Sequence, residues 1–409
     1  MKKSVLKQYA RLIARTGANV QKGQSVLIVA GLDQPEFIEL LAAECYRVGA
    51  SEVEVEWRHQ PLTRLAVRYK SARRLGEVKA WEEEKQKWQA ENLPARIVVL
   101  SEDPDGLTGI NQAKYAKGMQ ARYQKLRPYI DARENREQWC IAAVPGVKWA
   151  KKVFPELPKG RAVEKLWEVI LSCSRALEGD PEENWRLHNL ELKARADRLN
   201  AMGLVSLEYR SANGTDLKVG LIPEALFLGG AERCPVNGVL YDPNIPSEEL
   251  FITPKAGSAE GIVHATMPLV FQGILIEDFW LRFEGGKVTE LHAEKNEEAL
   301  RTLVSMDEGA AMLGECALVP YASPIRESGI LFYNTLFDEN AACHLALGRG
   351  YSSNIRDYEN YSLEELRAMG VNDSMVHEDF MIGSEDLSIT GVTAAGERVA
   401  IFRDGGWAF

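Results

Sequence analysis

The feature that most constrains the fold is a change of pattern near residue 200. From Ser25 to Val144 short β-rich runs alternate with longer helical stretches, whereas beyond Gly203 β-rich segments succeed one another with Gly and Pro punctuation. Alternation of the first kind predicts a mainly parallel sheet with helical crossovers. Its strands are expected at Ser25–Ala30, Glu52–Glu56, Arg96–Leu100 and Trp139–Val144, with a crossover helix near Pro35 to Val48. The charged and apolar residues that alternate through Glu52–Glu56 suit an edge or half-exposed strand. Val205–Tyr209, Thr215–Val219, Gly261–Pro268, Phe279–Phe283 and Cys316–Tyr321 predict an α+β domain with a mixed or antiparallel sheet. The expected organisation of the 409 residues is therefore an α/β N-terminal domain over 1–200 and an α+β domain over 201–409. A charged helix over Glu182 to Asn200, with Leu187, Leu190, Leu192, Ala194 and Leu199 as its apolar stripe, falls at the boundary.

Charge excludes several function classes. Acidic residues outnumber basic ones, 59 to 49, a formal charge of −10 that repels nucleic acid and anionic membrane surfaces. The basic stretch Arg68, Lys70, Arg73 and Arg74 reads as a solvated helix face. No apolar run reaches membrane-spanning length, and Lys7, Arg11 and Arg15 break up the stretch after Met1-Lys2-Lys3, so a secretory signal is not expected. Cys45, Cys140, Cys173, Cys234, Cys316 and Cys343 are far apart with no Cys-x-x-Cys pair, which predicts buried reduced thiols in a cytoplasmic protein. Gly31 ends the first strand with no Gly-x-Gly-x-x-Gly after it, so a dinucleotide cofactor is not expected.

The chemistry concentrates in the C-terminal half. In His377-Glu-Asp-Phe-Met-Ile-Gly383 an extended backbone would put His377 and Asp379 on one face and Glu378 on the other, a spacing that suits zinc, cobalt or manganese. A surface ion pair or a hydrogen-bonded core histidine is the plainer reading of that motif alone. In Asp338 to Tyr351, Asp338 can cap a short helix ending at Gly348 or Gly350, with Glu339 in its first turn and His344 among apolar neighbours. Glu315, ahead of Cys316–Pro320, and Glu249, ahead of Leu250–Thr253, are expected at strand ends, where a side chain is held yet reachable, with an exposed turn position as the plainer alternative for either. His264 reads as a strand residue with a polar partner, and His59, His188 and His292 as surface residues. Asp386 could orient His377 or cap a turn, and Thr215 and Asp216 could face the site or close a hairpin.

Asn244–Glu249, Phe337–His344 with Gly350-Tyr351, and His377-x-Asp379 to Gly383 together resemble the aminopeptidase T and S family of dinuclear metallopeptidases, which includes related leucyl aminopeptidases. The match runs from about Gly214 to Phe409 in order and spacing. The resemblance implies that Glu249, Glu315, Glu339, His344, His377 and Asp379 ligate metal, that Tyr351 is an active-site tyrosine, and that the subunits form a homodimer around an internal cavity admitting small peptides.

Four carboxylates, Glu249, Glu315, Glu339 and Asp379, balance two divalent ions, zinc first, with cobalt, manganese or magnesium as alternatives. The expected reaction is hydrolysis of the N-terminal peptide bond of short peptides by a metal-activated water. Glu315 is the expected bridge, a general base, or both, and Tyr351 a donor to the oxyanion. The rivals are another metal-dependent amidohydrolase or esterase, and a non-catalytic metal- or peptide-binding protein.

Overall fold

The structure is a computed structural model that describes residues 1–271 and 273–409. The chain forms two compact units, residues 1–187 with 231–246, and residues 188–230 with 247–409. The charged helix spans Pro181–Ala201, so its residues up to Leu187 count with the first unit and those from His188 with the second.

In the first unit five parallel strands lie in the order Glu52–Arg58, Ser25–Gly31, Ala95–Leu100, Trp139–Ala143, Asn244–Ile245. The Val-Leu-Ile-Val-Ala run is buried throughout, as a strand covered on both faces must be, while Glu52–Arg58 is largely exposed at the edge. The crossover helix Pro35–Arg47 starts with proline in its first turn, where the missing N–H costs nothing, and buries Phe37, Ile38, Leu41 and Cys45. Tyr9, Phe37 and Trp167 pack with ring centroids 5.8–6.3 Å apart in the core of this unit. The fifth strand belongs to a segment that returns from the second half of the sequence, a pairing for which no local pattern exists.

The second unit holds two antiparallel sheets. The larger includes Leu204–Arg210, Asp216–Gly220, Glu260–His264, Ile274–Glu284, Lys287–Lys295, Ser388–Thr393 and Arg398–Arg403. The smaller has four strands in the order Leu250–Ile252, Leu313–Leu318, His344–Gly348, His377–Met381. Strand alternation divides this small sheet into two faces. Cys316, Leu318, Leu345, Leu347 and Phe380 join Leu207, Tyr209, Phe283 and Phe402 in one core, with the Phe279 and Phe380 rings 5.8 Å apart. The opposite face carries Glu315, His344, Ala346, His377 and Asp379. The core therefore fixes the Cβ directions of the polar groups on its far side.

One sequence expectation fails here. Residues 338–348 do not form a helix. Thr335–Asp338 is a short helix that Glu339–Ala341 extends as a 3-10 turn, and His344–Gly348 is the strand between those of Glu315 and His377. An Ala- and Leu-rich run is compatible with either element, and pairing on both edges decides for the strand. All six cysteines are buried and none forms a disulfide. Among the described residues no helix is long and apolar enough to cross a membrane.

Candidate metal centre

The site lies entirely in the second unit, on the polar face of its four-stranded sheet. Ala346 pairs with Glu315 on one side and Asp379 on the other, and His344 pairs with Ala317 and Met381. Directly paired residues in adjacent strands stand about 4.5–5.5 Å apart. The methyl group of Ala346 therefore leaves space between two facing carboxylates, a role for which its sequence gives no cue. Glu249 enters from the residue preceding Leu250–Ile252, and Glu339 from the turn directly after Asp338.

Glu315 owes its direction to a bulge. The register of Leu313–Leu318 against His344–Gly348 shifts by one residue between Leu313 and Glu315, at Gly314. A Cβ at Gly314 would lie 2.3 Å from the Arg349 carbonyl oxygen and 2.4 Å from that of Gly348, so no other residue fits without backbone movement. Gly314→Ala is therefore expected to lower kcat/KM by about a hundredfold through a misplaced Glu315 and stability by about 1–3 kcal/mol. Peptidase kinetics and a thermal melt check it; activity within twofold of wild type would show that the bulge does not aim Glu315.

Both histidines direct the same nitrogen at the carboxylates. His377 Nδ1 lies 2.7 Å from the Arg349 carbonyl oxygen, and His344 Nδ1 lies 3.2 Å from that of Ala342. Donation from Nδ1–H to a carbonyl leaves Nε2 for the site. His344 Nε2 is 3.2 Å from Glu249 Oε2, and His377 Nε2 is 3.1 Å from Glu315 Oε2 and 3.4 Å from Asp379 Oδ1. Glu249, Glu315 and His344 offer ligand atoms within 4.8 Å of one another, and so do Glu315, His377 and Asp379, so Glu315 is common to both groups. Glu339 falls outside these two groups, yet it feels the charges of Glu249, Asp379 and Glu315, and its own charge is felt by Tyr351.

The electrostatics describe a surplus of buried negative charge. Burial raises the Glu315 carboxyl, and Asp379 and Glu249 add to the rise against the His377 bond. Burial, Glu249 and Asp379 hold Glu339 well above the usual carboxylate range. Burial opposes a charged imidazole, but Glu249 and its neighbours outweigh it and lift His344 to about 10. Asp379 and Glu315 lift His377 in the same way, while His377 and His344 outweigh burial and lower Asp379. No lysine or arginine pairs with these four carboxylates among the described residues. Asp379 Oδ1 is buried and accepts no hydrogen bond there. A cation-binding site accounts for this donor set: imidazole nitrogens held by carbonyls, clustered carboxylates and a carboxylate oxygen left without a donor.

The Tyr351 hydroxyl is 3.0 Å from His377 Nε2, and the two rings are 4.7 Å apart. The residue is 39% exposed as a whole, yet burial of its phenol end and the surrounding carboxylates keep its pKa well above the usual phenol range. The Tyr351 N–H donates to Thr253 Oγ1 at 2.7 Å, and its ring meets Phe251 edge-on at 5.5 Å. Sequence reasoning missed Thr253 and Asn340. The fully buried Asn340 accepts the Glu248 N–H at 2.6 Å and donates to the Leu336 carbonyl at 3.1 Å, which ties the Glu249 loop to the Glu339 turn. An asparagine between Glu339 and Ala341 was the available signal.

Asp386 does not reach His377: it binds Ser211, Ser384 and the Ala212 N–H, because the Arg349 carbonyl already occupies His377 Nδ1. Asp338 does not cap a following helix: it is the last residue of Thr335–Asp338 and makes no side-chain bond to the turn after it, its carboxylate accepting instead the N–H groups of Phe332 and Asn334, which precede that helix. His188 is buried, not superficial, with Nε2 2.7 Å from the Ser247 carbonyl oxygen. His59 is exposed, and His292 is exposed beside Glu294 and Glu297. His264 is a strand residue whose N–H bonds Thr215 Oγ1, and Asp216 pairs with Arg210.

Comparison with known proteins gives the same direction. The family described as thermophilic metalloprotease (M29) matches residues 2–407. Aminopeptidase AmpS of Bacillus subtilis is 40% identical over 405 residues, 99% of this chain and 98% of its own. Aminopeptidase T of Thermus thermophilus is 39% identical over 403 residues, 98% of each chain. The solved structure of wild-type AmpT from Thermus thermophilus covers 100% of both chains with a TM-score of 0.91 at 38% identity.

Proposed function

This chain belongs to the thermophilic metalloprotease (M29) family and is a metal-dependent aminopeptidase, and from that premise we propose that it removes the first residue of short peptides at a pair of divalent ions. Glu249, His344 and Glu315 would hold one ion and Glu315, His377 and Asp379 the other, with Glu339 as an additional ligand. The observation that supports a pair is the membership of Glu315 in both three-residue groups. Imidazole mixed with carboxylate favours zinc, with cobalt, manganese or magnesium as alternatives. Such ions, when bound, lower the pKa of a water toward neutrality and polarise the scissile carbonyl.

The remaining work falls to the protein's own side chains. Glu315 accepts the proton of the attacking water and passes it to the leaving amine, besides holding metal. Tyr351, kept protonated by its surroundings, turns its hydroxyl from His377 Nε2 to the developing oxyanion once that nitrogen is engaged as a ligand. The same reading includes a homodimer, carried by the family resemblance alone, and a cytoplasmic setting, carried by the spacing of the six cysteines.

A free N-terminus is the discriminating requirement. Metal-supplied enzyme is expected to hydrolyse leucyl p-nitroanilide and to act at least about a thousandfold more slowly on its N-acetyl form, because the group that receives the ammonium would be left without a partner. Comparable rates on both would favour a general amidohydrolase, and bound metal without turnover of either would favour a binding protein.

A further inference from the structure

Glu378 has no role in the site described above. It lies on the core side of its strand, opposite Leu347 and two residues from Phe380, and among the described residues no hydrogen bond or ion pair engages its carboxylate. Beside it is a cavity of about 190 Å³, lined by Leu269, Leu275 and Leu331 and by His377, Glu378 and Asp379. Consecutive residues of one strand point to opposite faces, so a cavity that touches all three runs along the strand's edge. That edge is available because His377–Met381 is the outer strand of its sheet. Asp338 also lines the cavity, but its carboxylate is taken by the N–H groups of Phe332 and Asn334.

We propose that this cavity receives the side chain of the substrate's first residue and that Glu378 selects a cationic end, lysine or arginine; the proposal rests on the aminopeptidase reading. Reach separates this role from recognition of the α-ammonium. That group lies only about 2.5 Å from the carbonyl carbon to be attacked, whereas Glu378 is on the other face of the strand from His377 and Asp379. A lysine ammonium stands about 6 Å from its Cα and can follow the cavity past the strand edge. The leucines would cover its methylenes and the carboxylate would meet its head, the usual division of an amphipathic side chain.

The test compares Lys-Ala with norleucyl-Ala, which lacks only the ammonium, and with Ala-Lys, on metal-supplied enzyme. Wild type is expected to favour Lys-Ala over norleucyl-Ala in kcat/KM by about tenfold or more, as a charge-assisted hydrogen bond allows. Glu378→Gln should bring the ratio close to one, and Glu378→Asp should keep part of it. The ratio is internal to each variant, so a general loss of metal or fold lowers both rates and leaves it in place. A ratio near one in wild type, an unchanged ratio in Glu378→Gln, or a loss that falls on Ala-Lys instead overturns the proposal. If wild type turns over none of the three peptides, the aminopeptidase reading fails instead.

Discussion

Glu315→Gln is expected to lower kcat/KM on an unblocked dipeptide by at least about a thousandfold, the largest effect of any single substitution in the site. The substituted amide is neutral, supplies one acceptor oxygen in place of two, and turns an NH₂ donor toward cations. Glu315 is also the residue common to both three-residue groups, so its loss touches two coordination sets together. Steady-state kinetics combined with metal content distinguish its two roles. Metal lost along with activity identifies a bridging ligand, whereas metal retained with kcat collapsed identifies the proton acceptor. Activity within tenfold of wild type would remove Glu315 from the mechanism.

How far the site is legible in the sequence depends on the range of the interaction that fixes each residue. His377 and Asp379 are legible because period-two alternation within one strand puts them on one face, and the strand His377–Met381 has that form. Glu249 is legible because it precedes a short strand. Glu315 is expected at a strand mouth and is found inside Leu313–Leu318, since the bulge at Gly314 is defined by the partner strand and has no local signature. The strand of His344 reads as a helix for the same reason. Its neighbours lie in strands over twenty residues away on either side in sequence, and only they make an Ala- and Leu-rich run extended. Ala346 carries no signal at all, because its importance is the space it leaves between residues on two other strands. In the first unit the parallel strands are visible as β-rich runs, but the pairing of Asn244–Ile245 with Trp139–Ala143 joins segments about a hundred residues apart.

Removal of bound metal by a chelator is expected to lower the midpoint of thermal unfolding by roughly 8 °C or more at pH 8, by less at pH 6, and to be reversed by added zinc. A ligand present at a hundred to a thousand times its Kd contributes about 2.7–4.1 kcal/mol, and each kcal/mol moves the midpoint by about 2–4 °C in a unit of some two hundred residues. The pH dependence comes from the titrating groups. In the metal-free protein Glu315 and Glu339 have carboxyls raised above the ordinary 4.5, and His344 is raised from 6.5 to about 10. A group with a raised folded-state pKa contributes stability that is fully present below its unfolded value and is lost as pH rises through its folded value. The carboxyls therefore weaken the metal-free fold from about pH 4.5 upward, and His344 does so between 6.5 and about 10. Metal binding requires the same groups to release their protons, so its own free energy grows over that range. These are two descriptions of one proton release, and through it the gap between loaded and stripped protein widens as pH rises. Calorimetry at pH 6, 7 and 8 with and without chelator measures that gap. A gap that narrows with pH would mean that the cation sits elsewhere than among these buried acids, since no other direction is compatible with ligands that must first be deprotonated.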